Sequence, residues 1–142
     1  MIKALNIIIV PLLRARHFKG SFPHFRRIKE TQIDLLTFQF DRNGGGFVIE
    51  ISKCPPDGIT TAWGEDIPGT KVTAWDTHPN DRLRLQPGHD GTTKDWFRFD
   101  QRPIFLLFEK NMYERVAKSV IPFINKADAW WNDSERTIRN QY

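Results

Sequence analysis

Apolar residues recur at helical spacing along the first seventeen positions of the chain. They are Ile2, Leu5, Ile9, Leu12 and Leu13. This period of three to four residues predicts an amphipathic helix over residues 2–17. Pro11 lies inside it and removes one backbone hydrogen bond, so we expect a kink. A short strand at residues 7–10, followed by a helix that begins at Pro11, is the alternative.

Three segments then read as strands, at residues 21–28, 31–42 and 46–53. In the second and third strands one face is apolar and the opposite face is largely polar. This pattern is typical of a half-buried antiparallel sheet. The residues expected to be mostly core are Leu36, Phe38, Phe40, Phe47, Ile49 and Ile51.

Three consecutive glycines, Gly44–Gly46, separate the second and third strands. A phosphate-binding loop would need Lys-Ser/Thr and a helix after its last glycine, whereas Phe-Val-Ile and a strand follow here. Asn43-Gly44 between two alternating runs is instead a strong hairpin signal. The extra glycines indicate a longer turn or a bulge.

Residues 54–93 are rich in Pro, Gly, Asp and Thr and predict a long loop region. Short strands are expected within residues 81–87 and 94–100. Residues 104–108 (IFLLF) fit either a buried strand or the start of a helix. From Met112 an apolar stripe at helical spacing predicts a C-terminal helix interrupted at Pro122. A polar tail occupies residues 132–142.

These patterns predict a single α+β domain over residues 1–142. We expect an antiparallel sheet of about five strands, with the N- and C-terminal helices packed on one of its faces.

Composition narrows the class of protein. The 142 residues carry a net charge of +4, and 13% of them are aromatic, which suits an ordinary soluble globular protein. The single cysteine, Cys54, excludes an internal disulfide and fits a reducing cytoplasm. Its expected role is structural. The apolar start lacks a small-residue cleavage site, and no stretch is long enough to span a bilayer.

A run of basic residues without an intervening acid is the first candidate site. It comprises Arg14, Arg16, Lys19, Arg26, Arg27 and Lys29, interleaved with aromatic residues and histidines. Basic side chains with aromatics can bind a nucleic-acid backbone and stack on bases. The alternative is a solvated helix end followed by a hairpin whose phenylalanines face the core.

Two tryptophans and two histidines lie in the loop region. Trp63 and Trp75 would be partner-contacting anchors if exposed, or core residues if packed over a sheet edge. His78 and His89 are weak candidates for a metal site because they lack tight ligand spacing, and such residues are also common in turns. The sequence shows no catalytic motif and predicts no cofactor.

Several segments together resemble a bacterial family, domain of unknown function 4304. They are PLLRARHFKG (residues 11–20), FPHFRR (22–27), the strand pair around the glycines, RLRL (82–85), WFRF (96–99) and the helix interrupted at IPFI (121–124). The resemblance covers most of residues 2–127. The Gly-Phe usual after the first helix is His17-Phe18 here. The resemblance implies a small α+β domain with no assigned activity, and relatives of this kind are suspected as immunity proteins encoded beside toxins.

Three functional hypotheses follow. The first is a non-catalytic protein-interaction module, of immunity type in the finer version, whose partner is another protein. The second is a nucleic-acid or anion binder that uses residues 14–29. The third is an unrecognised hydrolase or metal enzyme that uses His78, His89 and nearby Asp. The sequence leaves oligomeric state open.

Overall fold

The computed structural model describes residues 1–100 and 111–133. Its helices are α1 (Ile2–Ile8), α2 (Val10–Ala15), α3 (Met112–Ser119) and α4 (Ile121–Trp131). Its strands are β1 (Lys19–Ser21), β2 (His24–Ile28), β3 (Ile33–Phe40), β4 (Gly46–Cys54), β5 (Ile59–Thr60), β6 (Asp66–Ile67), β7 (Leu83–Leu85) and β8 (Phe97–Arg98).

The main sheet has the order β1-β2-β3-β4-β7, and β8 also pairs with β4. Every pairing is antiparallel, and the long central pair β3–β4 sets the register, with Phe38 opposite Ile49. The strands β5 and β6 form a separate two-stranded hairpin. The predicted fold class, an α+β protein with a sheet of about five strands and helices at both ends of the chain, is confirmed.

The expectation of one strand over residues 21–28 was wrong. The chain forms a hairpin there, with β1 and β2 joined through Phe22 and Pro23. Proline has no N–H to give to a ladder, so it lies in the connection between the strands rather than within either one.

Both helical segments break where a proline was expected to interrupt them. α1 ends at Ile8 and α2 begins at Val10, which leaves Pro11 in the first turn of α2. Pro122 occupies the same position in α4. A first-turn residue has no helical partner for its N–H, so proline is tolerated there. The predicted kinked N-terminal helix and interrupted C-terminal helix are confirmed.

The glycine run is a hairpin connection, as predicted. Asp41 donates its backbone N–H to the carbonyl of Gly46 across the turn. Gly44 and Gly45 take φ of 83° and 82°, values that glycine adopts without a steric penalty. The left-handed pair is therefore Gly44-Gly45 rather than Asn43-Gly44.

The helices pack on one face of the sheet, here called the helix face. Five of the six predicted core residues are buried there, and Phe40 is half-buried. The rest of this core comes from the helices and neighbouring strands, chiefly Leu5, Ile9, Leu13, Phe18, Phe25, Phe97, Val120, Ile124 and Trp131. It is the larger of the two apolar clusters formed by residues 1–100 and 111–133.

The opposite face, here called the loop face, is also covered, so the expectation of a half-buried sheet was wrong. All nine residues of β4 are buried. A second apolar cluster forms on this face, from Ile33, Leu35, Cys54, Ile59, Val72 and Ala74. Residues 55–82, here called the covering segment, lie over this face. They contain the β5–β6 hairpin and a 3₁₀ turn at Ala74–Asp76. Burial raises the pKa of the Cys54 thiol to about 12, as suits a structural cysteine.

Two expectations fall outside the described residues: the ambiguous segment 104–108 and the tail beyond residue 133. The last two described residues contact the sheet, since Lys29 Nζ donates to Asn132 Oδ1 (3.2 Å) and Lys53 Nζ to the carbonyl of Asp133 (3.1 Å). Among the helices of residues 1–100 and 111–133, none has the length and apolar character needed to cross a bilayer.

Candidate interaction surface

Consecutive residues of a strand point to opposite faces of the sheet, and this divides the basic run. Arg27 pairs in register with Asp34, on the helix face, whereas Arg26 pairs with Leu35, on the loop face. Residues that are neighbours in sequence therefore lie in two different layers of the protein.

Arg27 joins the sheet to the last helix. Its Nε lies 2.8 Å from Asp34 Oδ2 and its Nη2 lies 3.1 Å from Asp128 Oδ1. The guanidinium also lies over the rings of Phe18 and Trp131, at 4.7 and 5.3 Å from their centroids. These contacts bridge β2, β3 and α4.

Arg16 and Lys29 extend the same network. Arg16 Nε lies 2.8 Å from Asp128 Oδ2, and Lys29 Nζ lies 2.8 Å from Asp34 Oδ2. Gln32 donates its side-chain amide to Asp34 as well. The network comprises Arg16, Asp128, Arg27, Asp34 and Lys29, and it ties the end of α2 and Asp128 of α4 to the sheet.

Arg14 and Lys19 are the more exposed members of the run. Arg14 donates to the carbonyls of Phe18 (3.1 Å) and Gly20 (2.6 Å), and its guanidinium lies 5.5 Å from the Phe25 ring centroid. Lys19 is exposed on the edge strand β1. A lysine on a short edge strand discourages pairing with another chain.

Arg26 secures the covering segment to the sheet. Its guanidinium donates to the carbonyl of Thr70 and to that of Val72, the latter at 2.9 Å. Five of the six basic candidates thus donate to groups within the protein, and the structure does not gather the six on one surface.

A row of polar residues crosses the loop face from strand to strand. In register, Ser21 lies opposite His24, His24 opposite Thr37, Thr37 opposite Glu50, and Glu50 opposite Arg84. Directly opposed residues share a face of an antiparallel sheet. Thr37 and Glu50 belong to the alternating polar face that the sequence predicted to be solvated, yet both are buried.

The row is held together by polar contacts. His24 Nδ1 lies 2.9 Å from Thr37 Oγ1. Glu50, only 5% exposed, accepts from Arg84 Nε and Nη2 at 2.7 Å. Burial lowers the pKa of His24, against the nearby carboxylate of Asp76, which raises it. A paired carboxylate and an imidazole whose neutral form is favoured are suited to the interface between sheet and covering segment.

Trp75 lies in the covering segment above this row and remains 46% exposed. Its ring meets that of His24 edge-on, with centroids 5.0 Å apart. Its carbonyl accepts from Arg82 Nη2 at 2.6 Å. Asp76 closes a capping box with Thr73 around the same 3₁₀ turn. The backbone that carries this indole is held on both sides.

Trp63 is more exposed still, at 74%. It lies at the tip of the β5–β6 hairpin, whose base packs on the second apolar cluster through Ile59 and Ile67. Trp63 Nε1 donates to Glu65 Oε2 at 3.1 Å. Both tryptophans are therefore presented to solvent by the same covering segment, which is one of the two alternatives that the sequence left open.

The two histidine candidates lie in loops, and His78 serves a turn. His78 caps the 3₁₀ turn Pro79–Asp81, where its Nδ1 accepts the backbone N–H of Asn80 at 3.1 Å. His89 is exposed in the loop after β7. Within residues 1–100 and 111–133, no group of three or more His, Cys, Asp or Glu side chains is placed to hold a metal ion.

Sequence reasoning missed the polar row. The alternation of β3 and β4 identified Thr37 and Glu50 as partners of one face, but their burial depends on residues far along the chain.

Comparison with known proteins shows that the family described as "Domain of unknown function (DUF4304)" matches residues 9–140. No match was found among curated proteins or among solved structures.

Proposed function

The chain belongs to the domain of unknown function 4304 family, and we propose that it is a non-catalytic protein-interaction module that contacts its partner through Trp63 and Trp75. The observation that carries the proposal is the exposure of both indoles, 74% and 46%, on a segment that is anchored to the sheet through Ile59, Val72 and Ala74. Tryptophan is among the residues that contribute most to binding at protein interfaces.

The covering segment supports this role because it is braced before any partner arrives. Arg26 donates to the carbonyls of Thr70 and Val72, and Arg82 donates to those of Trp75 and Thr77. A segment already held in one conformation loses less conformational entropy when a partner binds. Exposed aromatic side chains on such a framework are suited to recognition.

The nucleic-acid alternative has less support. Arg16, Arg27 and Lys29 already pair with Asp128 and Asp34, so a phosphate backbone would have to compete with those carboxylates. Arg26 is committed to two carbonyls on the opposite face of the sheet. Measuring nucleic-acid binding at low salt checks this directly, and we expect none.

The experiment is affinity capture from an extract of the source organism with tagged full-length chain. Three baits are compared: wild type, the double variant Trp63→Ala/Trp75→Ala, and Tyr113→Ala. Tyr113 is the matched control, since it is a 48%-exposed aromatic residue on α3, in the helix layer.

We expect a stoichiometric partner on the wild-type and Tyr113→Ala baits and its loss from the double variant. A partner retained equally by all three baits would show that the tryptophans are not the contact. The absence of any stoichiometric partner would count against the interaction module itself. Circular dichroism confirms that each bait is folded.

In its finer form the proposal is an immunity-type protein of the bacterial cytoplasm, whose partner is a toxic enzyme. The support is the family resemblance and a single cysteine that is buried, as suits a reducing compartment. An equimolar amount of the wild-type chain should then abolish the activity of the captured partner in vitro. Undiminished activity in the complex would refute the immunity form and leave the interaction module standing.

A further inference from the structure

The tip of the β5–β6 hairpin is a tightly closed turn. Thr61 donates its backbone N–H to the carbonyl of Glu65 at 2.8 Å, and Gly64 donates to that of Thr61 at 2.9 Å. Thr61 Oγ1 accepts from the N–H of Glu65 at 3.0 Å, while Thr60 Oγ1 donates to Asp66 Oδ1 at 2.6 Å. The Thr61 side chain thus holds the backbone of the turn, and the Thr60 side chain holds the carboxylate of Asp66.

This turn presents one indole together with two carboxylates. Trp63, Glu65 and Asp66 are all exposed, and Glu65 accepts the indole N–H. No basic residue occurs in the tip, and the covering segment as a whole carries five acidic and two basic side chains. One of those two, Arg82, is directed at backbone carbonyls. The tip is therefore negative on a protein whose net charge is +4.

An exposed indole beside carboxylates is chemically suited to a cationic side chain. A guanidinium or ammonium group is attracted to the face of a tryptophan ring. Charge-assisted hydrogen bonds to nearby carboxylates add to that attraction. The same charges repel an acidic surface or a phosphate backbone, so they discriminate between partners.

We propose that the hairpin tip, formed by Trp63, Glu65 and Asp66, binds arginine or lysine side chains on a basic segment of the partner protein. This inference rests on the proposed function and specifies the chemistry of the partner. The indole stacks on the cation, and the two carboxylates pair with it or with its basic neighbours. Trp75, which lies in the covering segment against His24, supplies a separate contact.

The test is a titration of isotope-labelled full-length chain with a peptide of six arginines, monitored by the tryptophan indole N–H signals. The Trp63 signal is assigned by its absence in Trp63→Phe. We expect that signal to shift saturably, and the shift to weaken as salt is raised. The double variant Glu65→Gln/Asp66→Asn should bind the peptide about tenfold more weakly.

Two controls make the result specific. Asp57→Asn removes an exposed carboxylate at the opposite end of the same hairpin and should leave binding unchanged. A peptide of six glutamates should leave the Trp63 signal unmoved. An unmoved Trp63 signal with the arginine peptide, equal affinity of the Glu65→Gln/Asp66→Asn variant, or an equal response to the glutamate peptide would overturn the inference.

The same variant distinguishes this inference from the broader proposal. If Trp63→Ala/Trp75→Ala loses the captured partner but Glu65→Gln/Asp66→Asn retains it at unchanged affinity, recognition of a cation is refuted and the interaction module stands. Loss of the partner from both variants, with retention by Asp57→Asn, supports both.

Discussion

The carboxylate of Asp34 is fully buried, and its neighbours explain how the protein tolerates it. Arg27 and Lys29 each lie 2.8 Å from its Oδ2, and Gln32 donates to its other oxygen. A buried charge is strongly destabilising when its partners are removed. The basic run that resembled a binding surface in the sequence thus serves, in part, to neutralise one residue of β3.

Replacing Arg27 with Ala should therefore destabilise the fold. The change removes one cation from Asp34, breaks the link to Asp128 and empties the space over Phe18 and Trp131. We expect a loss of about 3 kcal/mol in the free energy of unfolding, measured by urea denaturation.

Lys19→Ala is the matched control, because Lys19 belongs to the same run but is exposed on β1. Its effect should stay within about 0.5 kcal/mol. Equal midpoints for both variants would mean that the Arg27 network contributes nothing to stability.

At this scale the sequence could show which residues are basic but not what they contact. Asp128 lies 101 positions from Arg27 along the chain, and no local sequence pattern predicts that the two residues pair. By contrast, a structural role for Cys54 could be predicted from the sequence, because no neighbouring residue offered it a base. The burial of Cys54 agrees with that prediction.

At the scale of elements, the polar row is where the covering segment meets the sheet. His24 contacts Thr37 across the strands and Trp75 from the cover, with Asp76 and Arg26 as its charged neighbours. Because burial is the largest effect on its pKa, the neutral imidazole is the form that the folded protein favours.

Because of this shift in pKa, the free energy of unfolding should fall as the pH is lowered. The folded-state pKa of His24 lies below the ordinary value of 6.5, so the unfolded chain binds more protons between the two pKa values. The contribution of His24 is complete above pH 6.5 and is lost as pH falls toward the folded-state value. His24→Asn should show a smaller fall in the free energy of unfolding between about pH 7.5 and about pH 5 than the wild type.

Urea denaturation at both pH values measures this difference, with His89→Asn as the control. His89 is exposed in a loop, and its replacement should leave the pH dependence of the wild type in place. An unchanged pH dependence in His24→Asn would show that the half-buried imidazole is not linked to stability.

The elements that sequence predicted well have local causes. Pro11, Pro122 and the glycine pair fix helix breaks and a turn through their own backbone chemistry. The second covered face had no such signal. Val72 and Ala74 are small apolar residues in a stretch with the composition of a loop, yet they cover Ile33 and Leu35. Period-two alternation shows which residues are polar, but it does not show whether they are exposed. Thr37 and Glu50 are polar and are nevertheless buried beneath the covering segment.

At the scale of the whole molecule, the sheet separates two layers with different character. One layer is helical and is tied to the sheet by the Arg16–Asp128–Arg27–Asp34–Lys29 network. The other is the covering segment, which is acidic in balance and carries both exposed tryptophans. We expect recognition to involve the second layer, because its backbone is braced while its largest aromatic side chains remain in solvent.

The central claim is that Trp63 is a principal contact with the partner, and calorimetry with the captured partner tests it most directly. The Kd should rise at least about tenfold in Trp63→Ala, which corresponds to a loss of about 1.4 kcal/mol or more in binding free energy. In Tyr113→Ala the Kd should stay within about threefold of the wild-type value. Equal Kd values for wild type, Trp63→Ala and Tyr113→Ala would contradict the claim.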